Sequence, residues 1–172
     1  MTNLIYYAIA GVNESLSASV LPDFLQKHTY KAESVSAWLL LIEKFKQVFN
    51  EQLPAISFLE SGKPIIENGY ISLSHSNGVV AVCFSKTANV GIDVELIKNQ
   101  IPTNASRFLR EDTPSAFYKK WTEREAVIKA KNYSLLKRKA ESEFEGKSEV
   151  VVENEKAFSL SIYGENATFI KV

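Results

Sequence analysis

The sequence predicts an α+β fold, and three observations carry that prediction. An apolar stripe at helical spacing runs through residues 33–49. A second helical segment starts at Thr113-Pro114, and short alternating runs bounded by turn residues occupy residues 71–96 and 149–172. With 172 residues, 45% of them hydrophobic and 11% aromatic, the chain has enough apolar material for a core, and the composition excludes disorder and low complexity. No sequence repeat and no Pro/Ser/Gly-rich linker marks a domain boundary.

The elements follow in chain order. Leu4 to Ala10 is a near-continuous apolar run without preceding basic residues, so it predicts a buried strand and not a signal peptide. From Glu33 to Phe49, Val35, Trp38, Leu39, Ile42, Phe45, Lys46 and Phe49 trace one helix face, and Pro54 closes the region. Gly62-Lys63-Pro64 is turn material. Ile71 to Ser76 alternates as a strand does, Asn77-Gly78 is a hairpin signal, and Val79 to Phe84 is the return strand. Val90 to Leu96 predicts a third strand, with Asp93 and Glu95 on one face. Pro102 to Arg110 predicts a short helix. Thr113 as N-cap and Pro114 at the first helical position start a longer one, reaching about Asn132. Residues 137–147 are charged and loop-like. Glu149 to Val152, Phe158 to Tyr163 and Ala167 to Val172 predict strands of a terminal sheet.

Composition also bounds function. Twenty basic residues against twenty acidic give no global attraction to nucleic acid, so a charged partner has to meet a local patch. Cys83 is the single cysteine, which excludes an internal disulfide framework and a cysteine-built zinc site and points to a reducing, cytoplasmic setting. The longest apolar stretch, Ala37 to Ile42, is far below the ~20 residues that span a bilayer, so no membrane association is expected.

Several side chains can carry chemistry. Asp93 and Glu95, at i and i+2 on a strand, lie within reach of one divalent cation, although for an isolated pair of acids a solvated strand face is the commoner explanation. Phe117, Trp121, Glu125 and Ile128 share one helical stripe, which buries an acid among aromatics. Such an acid needs a partner: a metal shared with Asp93 and Glu95, or a salt bridge to Arg124 or Lys129. Lys129, four residues after Glu125, suits an ion pair or a cation aimed at a phosphate. His75 ends a strand between two serines, but no nucleophile elbow accompanies it, and His28 lies in a polar stretch without a nucleophile pattern, so a serine hydrolase is not supported. The spacing around Gly62-Lys63-Pro64 is not that of a P-loop, although its lysine can reach an anion.

Taken in order, Gly62-Lys63-Pro64, Leu73-Ser74-His75-Ser76, Gly91-Ile92-Asp93-Val94-Glu95 and the run Trp121 to Lys129 (WTEREAVIK) resemble the signature motifs of the 4'-phosphopantetheinyl transferases, in particular the surfactin-synthetase-activating type. Arg107-Phe108-Leu109 resembles a further short segment between the last two. The resemblance covers Ser61 to Lys129 well, the first sixty residues only loosely and the tail after Lys131 hardly at all. It implies two similar subdomains in a pseudo-dimeric single chain, residues 1–88 and 89–172, with the active site between them. It implies transfer of the 4'-phosphopantetheine arm of coenzyme A to a serine of an apo acyl or peptidyl carrier protein, releasing adenosine 3',5'-bisphosphate. Asp93, Glu95 and Glu125 match magnesium ligands. Lys63, Ser74, His75 and Lys129 match positions that meet coenzyme A, and Glu125, Lys129 and His75 match catalytic positions. The base that takes the serine proton is then Glu125 or a metal-bound hydroxide. The protein is expected to act as a monomer.

Two departures stand out. Arg124 replaces a customary lysine, and Lys131-Asn132-Tyr133-Ser134-Leu135 lacks the glycines usual after the helix lysine, although Asn132 tolerates left-handed backbone. Basic residues for the 3'-phosphate are suggested only by Lys27, His28 and Lys31. Arg107, Arg110, Lys119 and Lys120, with Phe108 and Leu109 as apolar anchors, are the expected carrier-protein patch. The alternatives are a non-catalytic relative that binds carrier protein or coenzyme A, and a metal-dependent nucleotide hydrolase.

Overall fold

The computed structural model describes residues 2–27, 29, 31–103, 109–134 and 140–172. It is an α+β fold stacked in four layers: helix, sheet, sheet, helix. The first sheet has the order β4-β5-β1-β9, from β1 (Asn3–Gly11), β4 (Tyr70–Ser76), β5 (Val79–Ser85) and β9 (Ala167–Lys171). The second has the order β6-β8-β7, from β6 (Gly91–Leu96), β7 (Gly146–Glu153) and β8 (Lys156–Tyr163). A small hairpin, β2 (Ile56–Phe58) with β3 (Pro64–Ile66), stands apart.

The sequence of β5 explains the stacking. Every residue from Val79 to Ser85 is buried, because the strand is covered on both faces. Val80, Val82 and Phe84 pack with Trp38, Leu41 and Phe45 of α2 (Ala32–Phe49), preceded by the single turn α1 (Asp23–Gln26). Val79, Ala81 and Cys83 pack on the other side with Ile92, Val94, Leu160 and Ile162 of the second sheet. That sheet is closed on its far face by α3 (Pro114–Lys131), which begins as expected: Thr113 Oγ1 accepts from the Ala116 amide with Pro114 inside the first turn. The hairpin at Asn77-Gly78 has positive φ at both residues, 48° and 86°, as its two-residue turn requires.

Gly91 sets the distance between β6 and α3. A Cβ placed there would lie 1.9 Å from the Ala126 carbonyl oxygen and 2.9 Å from the Ala130 amide. The strand and the helix backbone therefore touch, and the carboxylates that follow on β6 are brought under the helix.

The terminal strands depart from expectation. β9 does not join β7 and β8; it pairs in parallel with β1, from Asn3 opposite Ala167 to Tyr7 opposite Lys171. The physical reason is that β8 already has a partner on each edge, so the chain leaving it turns at Gly164 and takes the free edge of β1, where the Asn3 amide donates to the Asn166 carbonyl at 3.0 Å. The helix predicted over Pro102 to Arg110 falls largely on residues outside the described set.

Candidate active site

Three serines of β4 fasten the two sheets to each other at their edges. The amides of Ile92, Val94 and Leu96 on β6 donate to the hydroxyls of Ser72, Ser74 and Ser76 at 3.1, 3.3 and 3.3 Å. Side-chain oxygens thus stand where the carbonyls of a neighbouring strand would stand, and the alternation places all three on one face. The same hydroxyls act again as donors: Ser74 to Asp93 Oδ1 and Ser76 to Glu95 Oε2, both at 2.8 Å. The alternating Ser-x-Ser-x-Ser is the signal in the sequence for this seam, and the reading of single motifs passed over it.

Helix α3 completes the site. Thr122 Oγ1 lies 2.9 Å from Ser159 Oγ and 2.8 Å from Ser161 Oγ on β8, which fixes the helix in rotation and height. Ser74, His75, Asp93, Glu95, Glu125 and Lys129 then line one cleft of about 360 Å³, with Leu73 and Trp121 as its apolar wall. His75, Glu125 and Lys129 also border a second, more apolar cavity of about 600 Å³ between α2 and α3, whose other walls include Trp38, Phe58 and Tyr133. The volume is that of an ordinary small-molecule pocket.

Lys63 borders the larger cavity but spends its ammonium elsewhere. Its Nζ donates to the Ala130 carbonyl in the last turn of α3, and the Asn89 amide group donates to the same oxygen at 2.7 Å. A cation at the negative end of the helix is stabilising, so in this structure Lys63 caps α3, and burial holds its pKa below the ordinary lysine value. The C-terminus of α3 forms without glycine: Asn132 takes φ 53°, ψ 40°, the Tyr133 amide donates to Ile128 O at 3.1 Å, and Ser61 Oγ donates to Asn132 Oδ1 at 2.6 Å.

The acids repel one another. Burial first and the Asp93 charge second raise the carboxyl pKa of both Glu95 and Glu125 above the usual carboxylate range. Each carboxylate is turned toward an internal partner. Lys129 Nζ sits 2.7 Å from Asp93 Oδ1 and also donates to the Ile92 carbonyl at 3.0 Å. Arg124, 2% exposed, donates to Glu125 Oε1 at 2.9 Å. Among the described residues no three acidic, imidazole or thiol groups converge closely enough in this arrangement to enclose a metal ion. The donor chemistry nevertheless fits a hard cation: three carboxylates line one cleft, and Asp93 Oδ2 is buried with no hydrogen-bond partner. Asp93, Glu95 and Glu125 are the residues able to hold such an ion.

A test of this electrostatic picture is the stability of Glu95→Gln. An acid whose folded-state pKa is raised contributes stability at pH values below its unfolded pKa and loses that contribution as pH rises through the folded value. The variant is therefore expected to be more stable than the parent at pH 7 and equal to it near pH ~4. Urea melts at the two pH values check this; a gain of the same size at both would show that charge is not the cause.

The expected carrier patch is only partly borne on the surface. Leu109 is 4% exposed and packs with Phe117 and Tyr118, so it is core and not an exposed anchor. Arg110 is exposed, Lys119 pairs with Glu123 at 2.8 Å, and Lys120 pairs with Glu111 at 3.3 Å. Arg107, Phe108 and His28 lie outside the described residues. The sequence also concealed that Glu123 and Arg124 are buried more deeply than Glu125: Glu123 is held by Ser148 Oγ at 2.9 Å and by Lys119.

Comparison with known proteins gives a consistent result. The chain is 28% identical over 149 residues to the 4'-phosphopantetheinyl transferase AcpT of Salmonella typhimurium, covering 75% of this chain and 76% of that protein. It is 28% identical over 164 residues to a putative 4'-phosphopantetheinyl transferase of Haemophilus influenzae, covering 77% and 70%. It is 27% identical over 146 residues to AcpT of Escherichia coli K12, covering 75% and 74%. No protein-family model matches the chain.

Proposed function

We infer that this chain, a member of the phosphopantetheinyl transferase superfamily, transfers the 4'-phosphopantetheine moiety of coenzyme A to a serine of an apo acyl or peptidyl carrier protein. The observation that carries the reading is the cleft in which Asp93, Glu95, Glu125, Lys129 and His75 meet beside a cavity large enough for a nucleotide-bearing ligand. The surfactin-synthetase-activating type and the pseudo-dimeric layout, residues 1–88 and 89–172, belong to the same proposal. Supporting them, each half carries one 18-residue helix packed on an antiparallel sheet, and both helices end on a left-handed asparagine, Asn50 and Asn132. In this layout β9 is the one strand of the second half that returns to the first sheet.

In the reaction, the serine hydroxyl of the partner attacks the phosphorus attached to the pantetheine arm. The bond from that phosphorus to the bridging oxygen breaks, and adenosine 3',5'-bisphosphate leaves with the electron pair. Asp93, Glu95 and Glu125 would hold magnesium, which would supply positive charge to offset that developing on the leaving oxygen. Lys129, on the border of the two cavities, releases Asp93 and turns its ammonium to the diphosphate; the lysine stem has the freedom to do so. His75 stands at the same border, and Ser74 in the smaller cleft beside it, to meet coenzyme A. Glu125, whose carboxyl is made more basic by burial first and the Asp93 charge second, is the protein's own group able to accept the serine proton. The protein acts as a cytoplasmic monomer in this reading, with no nucleic-acid or membrane partner.

A non-catalytic binder has no use for three acids gathered in one cleft at the cost that the raised Glu95 and Glu125 pKa values express. The test is dependence on acceptor. Adenosine 3',5'-bisphosphate should appear only when coenzyme A, magnesium and an apo carrier protein are all present; its release without carrier would identify a hydrolase instead.

A further inference from the structure

His75 is reached by an acid that no motif contains. Glu33 stands in the first turn of α2, 42 positions away in sequence, and its Oε2 lies 3.4 Å from His75 Nδ1. An acid in that turn is favoured by the helix dipole alone, but the dipole does not require it to meet an imidazole on β4. The pair bridges α2 and the rim of the first sheet beside Ser34, which borders the larger cavity. Both side chains are part-exposed, 31% for Glu33 and 40% for His75, so the ring would otherwise be free to rotate.

We propose that Glu33 is a positioning residue for His75: it takes the Nδ1 edge of the ring and thereby holds the opposite Nε2 edge toward a phosphate of coenzyme A. Glu33 faces one ring nitrogen at 3.4 Å, and the second nitrogen is then aimed by ring geometry alone. His75 borders both cavities, and from α3 the charged groups sharing that border are Glu125 and Lys129. A histidine oriented by a carboxylate on its far nitrogen loses less freedom on binding than a free one, and that difference appears as affinity.

The proposal rests on the coenzyme A reading above, and calorimetry with coenzyme A separates the two. The parent should bind, and Glu33→Ala should bind about three- to fivefold more weakly, the range of an exposed ion pair. Glu33→Gln keeps an acceptor for Nδ1–H and should restore most of the loss. In a His75→Ala background the Glu33→Ala change should have no further effect. With only two histidines in the chain, the ring-nitrogen signals of His75 are assignable by nitrogen NMR, and they should shift in Glu33→Ala. Equal or tighter binding by Glu33→Ala, or the same loss with and without His75, overturns the proposal while leaving the coenzyme A reading intact. A parent that binds no coenzyme A overturns both.

Discussion

Asp93→Asn is expected to lower transfer about a thousandfold or more at saturating magnesium while the fold persists. Asp93 is the acid on which the others converge: its charge contributes to the raised pKa of both Glu95 and Glu125, it holds Lys129, and its buried Oδ2 has no partner. Asparagine has the same shape and still offers an oxygen to Ser74 and Lys129, but it carries no charge and presents an NH2 group where the free oxygen stood. The change in stability should stay within about 1 kcal/mol, because the lost Lys129 pair is offset by relief of the repulsion on two neighbouring acids. Steady-state turnover, with a thermal melt in the same buffer, measures both sides. Near-normal turnover, or an unfolded variant, would remove Asp93 from the centre of the site.

Gly91→Ala should act in the opposite manner, through the fold. The new methyl group would lie 1.9 Å from the Ala126 carbonyl oxygen, which is backbone and has no rotamer to escape into. Helix α3 is held against retreat by the Thr122 hydroxyl between Ser159 and Ser161 and by Lys63 and Asn89 on its last turn. Overpacking at a backbone contact of this kind costs at least about 3 kcal/mol, a fall in melting temperature of roughly 6–12 °C for a chain of this size. A melt within about 2 °C of the parent would mean that strand and helix do not approach as described. The glycine of the Gly-x-Asp-x-Glu run is thus explained by packing, and it acts on the site by bringing the β6 acids under α3.

Much of this was legible in the sequence because local chemistry settled it. The Asn77-Gly78 turn, the Thr113-Pro114 helix start and the apolar stripe of α2 each follow from a rule that tertiary structure leaves in force. The family resemblance singled out His75, Asp93, Glu95, Glu125 and Lys129, which line one cleft. What escaped depends on contacts distant in the chain. β9 looks like any terminal strand until β8 is seen to have no free edge. The residues 154–155 turn at φ 49° and 62° hides because glutamate seldom takes that conformation. Lys63 carries no local sign that the end of α3 arrives beside it, and the role of Ser72 and Ser76 requires knowing that β6 runs along β4 without pairing with it. Glu33 has no motif at all; only the fold carries it to His75.

The most direct test is an incubation of the protein with coenzyme A, magnesium and apo carrier proteins, read by intact mass. The carrier should gain the mass of one phosphopantetheine arm, on a serine and only with magnesium present, and Asp93→Asn should leave it unmodified. A panel of acyl and peptidyl carriers that all stay unmodified, with the parent folded and the cation saturating, would contradict the assignment of this cleft to phosphopantetheinyl transfer.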